Sequence, residues 1–443
     1  MREIPQDDQP ATVPVRATPA GAIRARWTWT APVVWTERML TALEQGVRGG
    51  RWHTLSDKVY ALPTLRAAFT RVKANRGAPG VDHVTIAMFE ARLDAHLAAL
   101  SQSLRDGTYR PQPVRRLWIP KGPRARRPLG IPTVRDRVVQ TALRLVLEPI
   151  FDATFASHSY GFRPRHSTKQ ALRRVVELLR AGHRYVVDAD FRAYFDSIPH
   201  APLRARVQSK VSDHRVLALV DAFLQQPIFE GLTQWTVDEG TPQGAVLSPL
   251  LANLYLDPLD HAVAAAGFEM VRYADDFVIL CRTAEEAQQA LGLVQRWTEA
   301  AGLQLHPEKT QLVDMQQSRG FEFLGYHFRR GERRPRKKSL RNLKDTVRQR
   351  TRRTHGESLA VIIATVNRSL RGWFAYFKHS HGTFRAIDTW VRMRLRSILR
   401  KRAGGRGRAR GWDTQRWSSA FFAAQGLFSL AEAHAAYRQS VMR

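Results

Sequence analysis

Cysteine is almost missing: 443 residues contain one, Cys281. That excludes a disulfide framework and any zinc site built on paired thiolates. Long apolar runs are missing too, since no stretch reaches the roughly 18 uncharged residues a membrane span needs. The opening MREIPQDDQP lacks the basic and apolar regions of a signal peptide, so the expectation is a soluble, cytoplasmic protein without a membrane partner. Acid is scarce as well. Against 70 Lys and Arg stand 39 Asp and Glu, a formal charge of +31, which points to a polyanionic partner. Residues 331–443 carry 27 basic and 6 acidic residues, a net of +21. Arginine predominates there, and its planar fork suits bidentate phosphate contacts.

What is present divides along the chain. Residues 1–50 read as an N-terminal arm, with the first 20, rich in Pro, Ala and Thr, expected to be disordered. Apolar residues at helical spacing predict a helix from Thr54 to Arg71, another over Ile86–Leu104, and a third from Thr168 to Arg180. Val114–Ile119 reads as a strand leading into a basic turn that ends at Pro128. In Tyr185–Phe191, residues 186, 188 and 190 share one face, so two acids lie on one side of an apolar strand. Strands over 267–272 and 277–282 would be joined by Tyr273-Ala274-Asp275-Asp276 as the turn. A helix over 284–301 and strand-like runs at 311–313 and 321–328 complete the block. The basic stretch 329–338 marks a boundary, and 331–443 reads as a helical, basic domain.

Two carboxylate sources therefore converge: Asp190 at a strand end and Asp275-Asp276 at a hairpin tip. Nucleotide transfer onto a 3′-hydroxyl asks for such a set, because hard oxygen donors hold the divalent ions that stabilise attacking and leaving oxygens. A lone Asp-Asp is by itself only turn chemistry.

The surroundings sharpen the pattern. Arg272-Tyr273-Ala274-Asp275-Asp276-Phe277 resembles the catalytic box of reverse transcriptases. Around it, in family order, come Gly77–Asp82, Arg127–Pro132 with Asp136-Arg137, Ser159–Pro164, Asp190–Asp196 and Gly240–Gly244, then His306–Thr310 and Phe323–Gly325. These blocks, with Asn367–Trp373 and 417–434, resemble the group II intron reverse transcriptase/maturase family over residues 55–443. The resemblance implies an α+β right-hand polymerase: fingers and palm, with an antiparallel sheet, over 51–330, and a helical thumb/maturase domain over 331–443. It implies RNA-directed DNA polymerisation with two Mg²⁺ ions, for which Mn²⁺ can substitute. The implied partners are intron RNA, an RNA template, a DNA primer or target, and dNTPs, with the chain a monomer or dimer.

Carried over residue by residue, Asp190, Asp275 and Asp276 are the catalytic, metal-binding carboxylates, with Phe191 beside them in the metal set. Phe195 aligns with the aromatic that blocks a ribose 2′-hydroxyl. Arg127, Arg163, Gln243 and Lys309 align with residues around the incoming nucleotide or primer, although for both arginines a generic template phosphate contact is nearly as good a reading. Tyr273, Arg392, Arg396, Arg400, Arg406 and Arg408 are nucleic-acid contacts, whereas Trp373, Phe374, Tyr376 and Phe377 read as core. Asp188 shares the face of Asp190 but is not singled out by the family pattern.

Longer family members append a cysteine- and histidine-rich nuclease module, which this chain is not expected to have, so any mobility would use a primer made elsewhere. Asp190-Phe191-Arg192 also departs from the family's usual aliphatic residue and lysine. Two further readings stay open: an RNA-binding splicing cofactor with a vestigial polymerase, and a related enzyme recruited to host defence or CRISPR spacer acquisition.

Overall fold

The computed structural model describes residues 22–120, 126–236, 238–317, 320–354, 356–407, 409 and 411–442. Residues 1–20, the middle of the basic turn before Pro128, and Arg408 therefore lie outside the described residues. The chain forms two compact units: one from 1–167, 192–261 and 298–304, the other from 168–191, 262–297 and 305–443. Both mix helices with predominantly antiparallel sheets, an α+β architecture.

The first unit is built around the helix Val134–Asp152, of which all residues except Arg135, Arg144 and Asp152 are buried. A helix enclosed on every side must satisfy its own polar groups. Thr133 caps it by accepting from the Asp136 amide at 3.1 Å. The buried Asp136 carboxylate accepts from the Tyr109 hydroxyl at 2.6 Å and the Gln112 amide at 3.0 Å. Trp35, with no exposed surface, donates its indole N–H to the Leu145 carbonyl at 2.9 Å. Residues 22–50 thus include packed core. The four-stranded sheet of this unit runs Arg126–Ile131, Val114–Pro120, Ile228–Glu230, Thr233–Trp235. Its first two strands form the antiparallel hairpin that the basic turn predicts.

Two predicted helices are broken. The 54–71 helix is Ser56–Tyr60 and Leu62–Ala74, because Pro63 can enter only the first turn of a new helix. The 86–104 helix is Ile86–Glu90 and Leu93–Arg105, interrupted at Arg92.

The second unit carries an antiparallel sheet in the order Glu269–Tyr273, Asp276–Cys281, Tyr185–Asp190, Gln311–Asp314. The amphipathic helix Thr168–Arg180 packs on its first two strands. The run expected at 321–328 is a hairpin, Phe321–Phe323 paired with Tyr326–Arg329, since Leu324 and Gly325 both take positive φ in a two-residue turn. Glu332–Pro335 adds a third strand.

Helices Lys337–Arg350, Leu359–Phe377 and Phe384–Arg402 close over a core of Val347, Ile362, Val366, Leu370, Val391 and Leu395, against which Trp373 and Phe374 pack as expected. The last helix, Leu430–Met442, docks where Asp388 accepts from the Leu430 and Ala431 amides at 3.0 Å each. Among the described residues no helix is long and apolar enough to cross a membrane.

Candidate active site

Register sets the site in the second unit. Asp190 pairs with Asp276 across two antiparallel strands, so both carboxylates leave the same face. Asp188, two residues earlier, joins them there. On the other side of the Tyr185–Asp190 strand, Asp188 pairs with Gln311 and accepts from its side-chain amide at 3.0 Å. Lys309, two residues before Gln311, places its ammonium on Asp190 Oδ2 in an ion pair.

The turn before Asp276 is two residues long, Ala274-Asp275, closed by the Tyr273–Asp276 pair. Ala274 adopts φ 60°, as the first turn position of a type II′ hairpin requires, and does so without being glycine. Beneath it the fully buried Arg272 donates to the Ala274 carbonyl at 2.8 Å, which fixes the turn that carries Asp275. Phe191 is buried and tilted against Phe277 with ring centroids 5.5 Å apart, so only its backbone carbonyl can offer an oxygen.

Crowding shows in the proton affinities. Burial, then the charges of Asp188, Asp275 and Asp190, push Asp276 up to about 7. Asp188 rises to about 6, mainly by burial, with the Gln311 hydrogen bond opposing the shift. Among the described residues no three His, Cys, Asp or Glu side chains are drawn together tightly enough to hold an ion. The donor chemistry fits a hard divalent cation all the same: like-charged carboxylates share one face, and a lysine ammonium already sits on one of them.

In the first unit a second group of predicted residues gathers around Asp196, which sequence reasoning did not single out. Gln243 donates to its Oδ2 at 3.1 Å. Partial burial raises the Asp196 carboxyl, while Arg116, Gln243 and Arg127 act in the opposite direction. Phe195 is half-buried between Tyr194 and Phe162, at centroid distances of 5.5 and 6.4 Å, and its carbonyl accepts from the Thr241 amide at 2.6 Å. The Gln243 carbonyl accepts from the Gly130 amide at 2.6 Å. Gly244 must be glycine, because it takes φ 107° and a Cβ there would strike the Gly130 carbonyl.

Three predicted contact residues have other employment. Arg163 donates to the Asp152 carboxylate at 2.7 Å and to the carbonyls of Ala156, Ser159 and Asp152, so its guanidinium braces the 152–159 loop instead of facing a triphosphate. Arg396 and Arg400 are only 6% and 9% exposed. Arg396 donates to the Trp417 carbonyl at 2.8 Å, and Arg400 pairs with Asp413 at 2.7 Å and donates to the Arg406 carbonyl at 3.0 Å. The stripe of arginines four apart turns two of them inward, where they tie down the loop after the Phe384–Arg402 helix. Arg406 stays exposed, and Arg392 and Tyr273 are half-buried.

Comparison with known proteins agrees with this geometry. Residues 119–328 match the family described as reverse transcriptase (RNA-dependent DNA polymerase), and residues 340–417 match the group II intron maturase-specific domain. Protein YkfC of Escherichia coli (strain K12) is 31% identical over 341 residues, covering 68% of this chain and 85% of the relative. The group II intron-encoded protein LtrA of Lactococcus lactis subsp. cremoris is 43% identical over 163 residues, but that match spans 37% of this chain and only 27% of the relative. Among solved structures, a partial Cas6-RT-Cas1–Cas2 complex is 27% identical over 56% of this chain and 42% of that chain, with a TM-score of 0.37, too low to bear on function.

Proposed function

The chain belongs to the group II intron reverse transcriptase/maturase family, and from that premise we propose that its carboxylate face adds dNTPs to a DNA primer on an RNA template in the cytoplasm. We infer that the same chain binds group II intron RNA to promote splicing and mobility. The observation that carries the polymerase reading is the register that sets Asp190 against Asp276, with Asp275 at the adjoining turn.

Reverse transcriptases depend on divalent metal, and here Asp190, Asp275, Asp276 and the Phe191 carbonyl would hold it as two Mg²⁺ ions. Such ions supply charge stabilisation for the attacking 3′-hydroxyl and the departing pyrophosphate. The chain's own residues do the rest. Lys309 holds Asp190 in place until a metal or primer replaces it. The buried Arg272 keeps the turn from moving. In the other unit, Arg127 and Gln243 offer donors to phosphate and base, and the half-buried ring of Phe195 gives a rigid wall against a 2′-hydroxyl. The excess of arginine in 331–443, with Arg406 exposed and Arg392 half-buried, suits the backbone of a structured RNA or an RNA/DNA duplex.

The test is primer extension on a defined RNA template with Mg²⁺ and dNTPs, beside an Asp275→Ala/Asp276→Ala protein. Extension by the wild type and loss of at least about 10³-fold in the variant, at equal RNA affinity, supports the reading. Tight, salt-sensitive RNA binding with no extension from either would favour a splicing cofactor with a vestigial polymerase.

A further inference from the structure

The second unit contains a pocket of about 410 Å³ that the polymerase reading does not use. It lies at the end of the four-stranded sheet opposite the carboxylates. Arg184 precedes the strand that ends at Asp190, and six residues of extended chain span ~20 Å. Three separate segments supply its rim: Arg180, His183 and Arg184 from the end of a helix, Arg330 and Arg333 from a hairpin, and His381 from a loop. Its floor is apolar, formed by Val176 and Leu179 with Met315 and Phe328 beneath. No carboxylate lines it, and none of its four arginines forms an ion pair with a described residue.

Cationic groups brought together without counter-charge repel one another and favour an anion beside them. One side of the rim is held in place. Arg333 donates through Nε to the His379 carbonyl at 2.9 Å, and the His381 amide donates to the Arg333 carbonyl at 2.9 Å. Burial pulls the Arg333 guanidinium below its ordinary value, and neighbouring Arg180 adds to that pull against Tyr326 and Tyr437. A floor for a flat apolar face beneath a ring of guanidinium groups matches one nucleotide, whose base and phosphate ask for these two surfaces. A free nucleotide would need nothing more. The positive track, however, runs on past the pocket through the exposed Arg329, Lys337 and Lys338, as a strand with further phosphates would use.

We propose that this pocket seats one nucleotide of single-stranded RNA, its base on the apolar floor and its flanking phosphates on Arg180, Arg184, Arg330 and Arg333. The proposal rests on the RNA-binding part of the reading above and not on polymerisation.

Its test uses the full chain and a short labelled oligouridine RNA. An Arg184→Gln/Arg330→Gln variant is compared with Arg341→Gln/Arg352→Gln, which removes the same charge from exposed positions outside the pocket. The pocket variant should bind about 10-fold more weakly at fixed salt, with a log–log salt slope smaller by about 1.4 for two lost phosphate contacts. The comparison variant should lose no more than about 2-fold. Ultraviolet crosslinks in the wild type should map to 176–184 or 315–333 and vanish in the pocket variant. Equal losses in both variants, crosslinks confined elsewhere, or displacement of the RNA by equimolar uridine monophosphate would each overturn the proposal, the last by making the ligand a free nucleotide. Primer extension at saturating template, run on the same proteins, reports separately on the polymerase. Its absence from the wild type would sink that reading and leave the binding comparison intact.

Discussion

Asp190 and Asp276 face each other across a two-strand ladder, and Lys309 neutralises only Asp190. The pairing follows from a two-residue turn and an alternation of period two, so a slip of one residue would send one carboxylate to the opposite face. The sheet therefore fixes the carboxylates relative to one another before any ligand arrives, at the cost of holding like charges side by side.

That cost should appear as a pH-dependent stability. With Asp276 raised to about 7 and Asp188 to about 6, the folded state keeps protons that an unfolded carboxyl releases near 4. Stability of the metal-free protein therefore falls as pH rises from about 4 to about 7. Asp276→Asn removes the charge. In metal-free buffer it should raise Tm by about 2–4 °C at pH 8, on the order of 1 kcal/mol after allowance for solvent screening, and by much less at pH 5. Thermal melts at both pH values, with and without Mg²⁺, check this. A variant less stable than wild type at pH 8 would contradict it.

Lys309 competes with any cation for Asp190. Lys309→Ala should shift the Mg²⁺ concentration for half-maximal primer extension downward by several-fold while lowering the maximal rate. Magnesium titrations of the two proteins separate the effects. An unchanged midpoint would mean that the ion pair breaks without cost.

Much of the sheet that carries the carboxylates was legible because its signals are local. Alternation over 185–190 and the two acids after Tyr273 were enough to predict the strand, the hairpin and a shared face for Asp188 and Asp190. The grouping around Asp196 was not legible, since it depends on Gln243 and Arg127 returning from distant segments, and no periodicity reports that. The inward turn of Arg396 and Arg400 was hidden for a related reason. A basic residue facing a helix's apolar side looks exposed until the partner that neutralises it, here Asp413, is known.

That partner makes a stability prediction. Asp413 is 1% exposed, so Arg400→Ala takes a cationic partner away from a buried carboxylate and should destabilise the protein by about 3 kcal/mol. Arg392→Ala removes a half-buried guanidinium that donates only to Thr389 on its own helix among the described residues, and should change stability by less than about 1 kcal/mol, while weakening RNA binding a few-fold. Denaturant melts and RNA titrations on both proteins distinguish an internal brace from a surface contact. Equal stability losses would remove the distinction.

Phe195 carries the sharpest test of substrate choice. Its ring meets Tyr194 and Phe162 edge-on, so it is held on two sides, and its backbone carbonyl is tied to Thr241 whatever side chain is present. A ring so fixed cannot swing away from a 2′-hydroxyl, which is how a wall discriminates by shape and not by hydrogen bonding. Phe195→Ala opens that space and leaves the backbone link in place. The ratio of kcat/KM for dUTP over UTP on an RNA template should fall by about 10–100-fold, with dUTP incorporation itself changing only a few-fold. If both substrates lose equally, the ring is core packing alone, and the choice of sugar is made elsewhere.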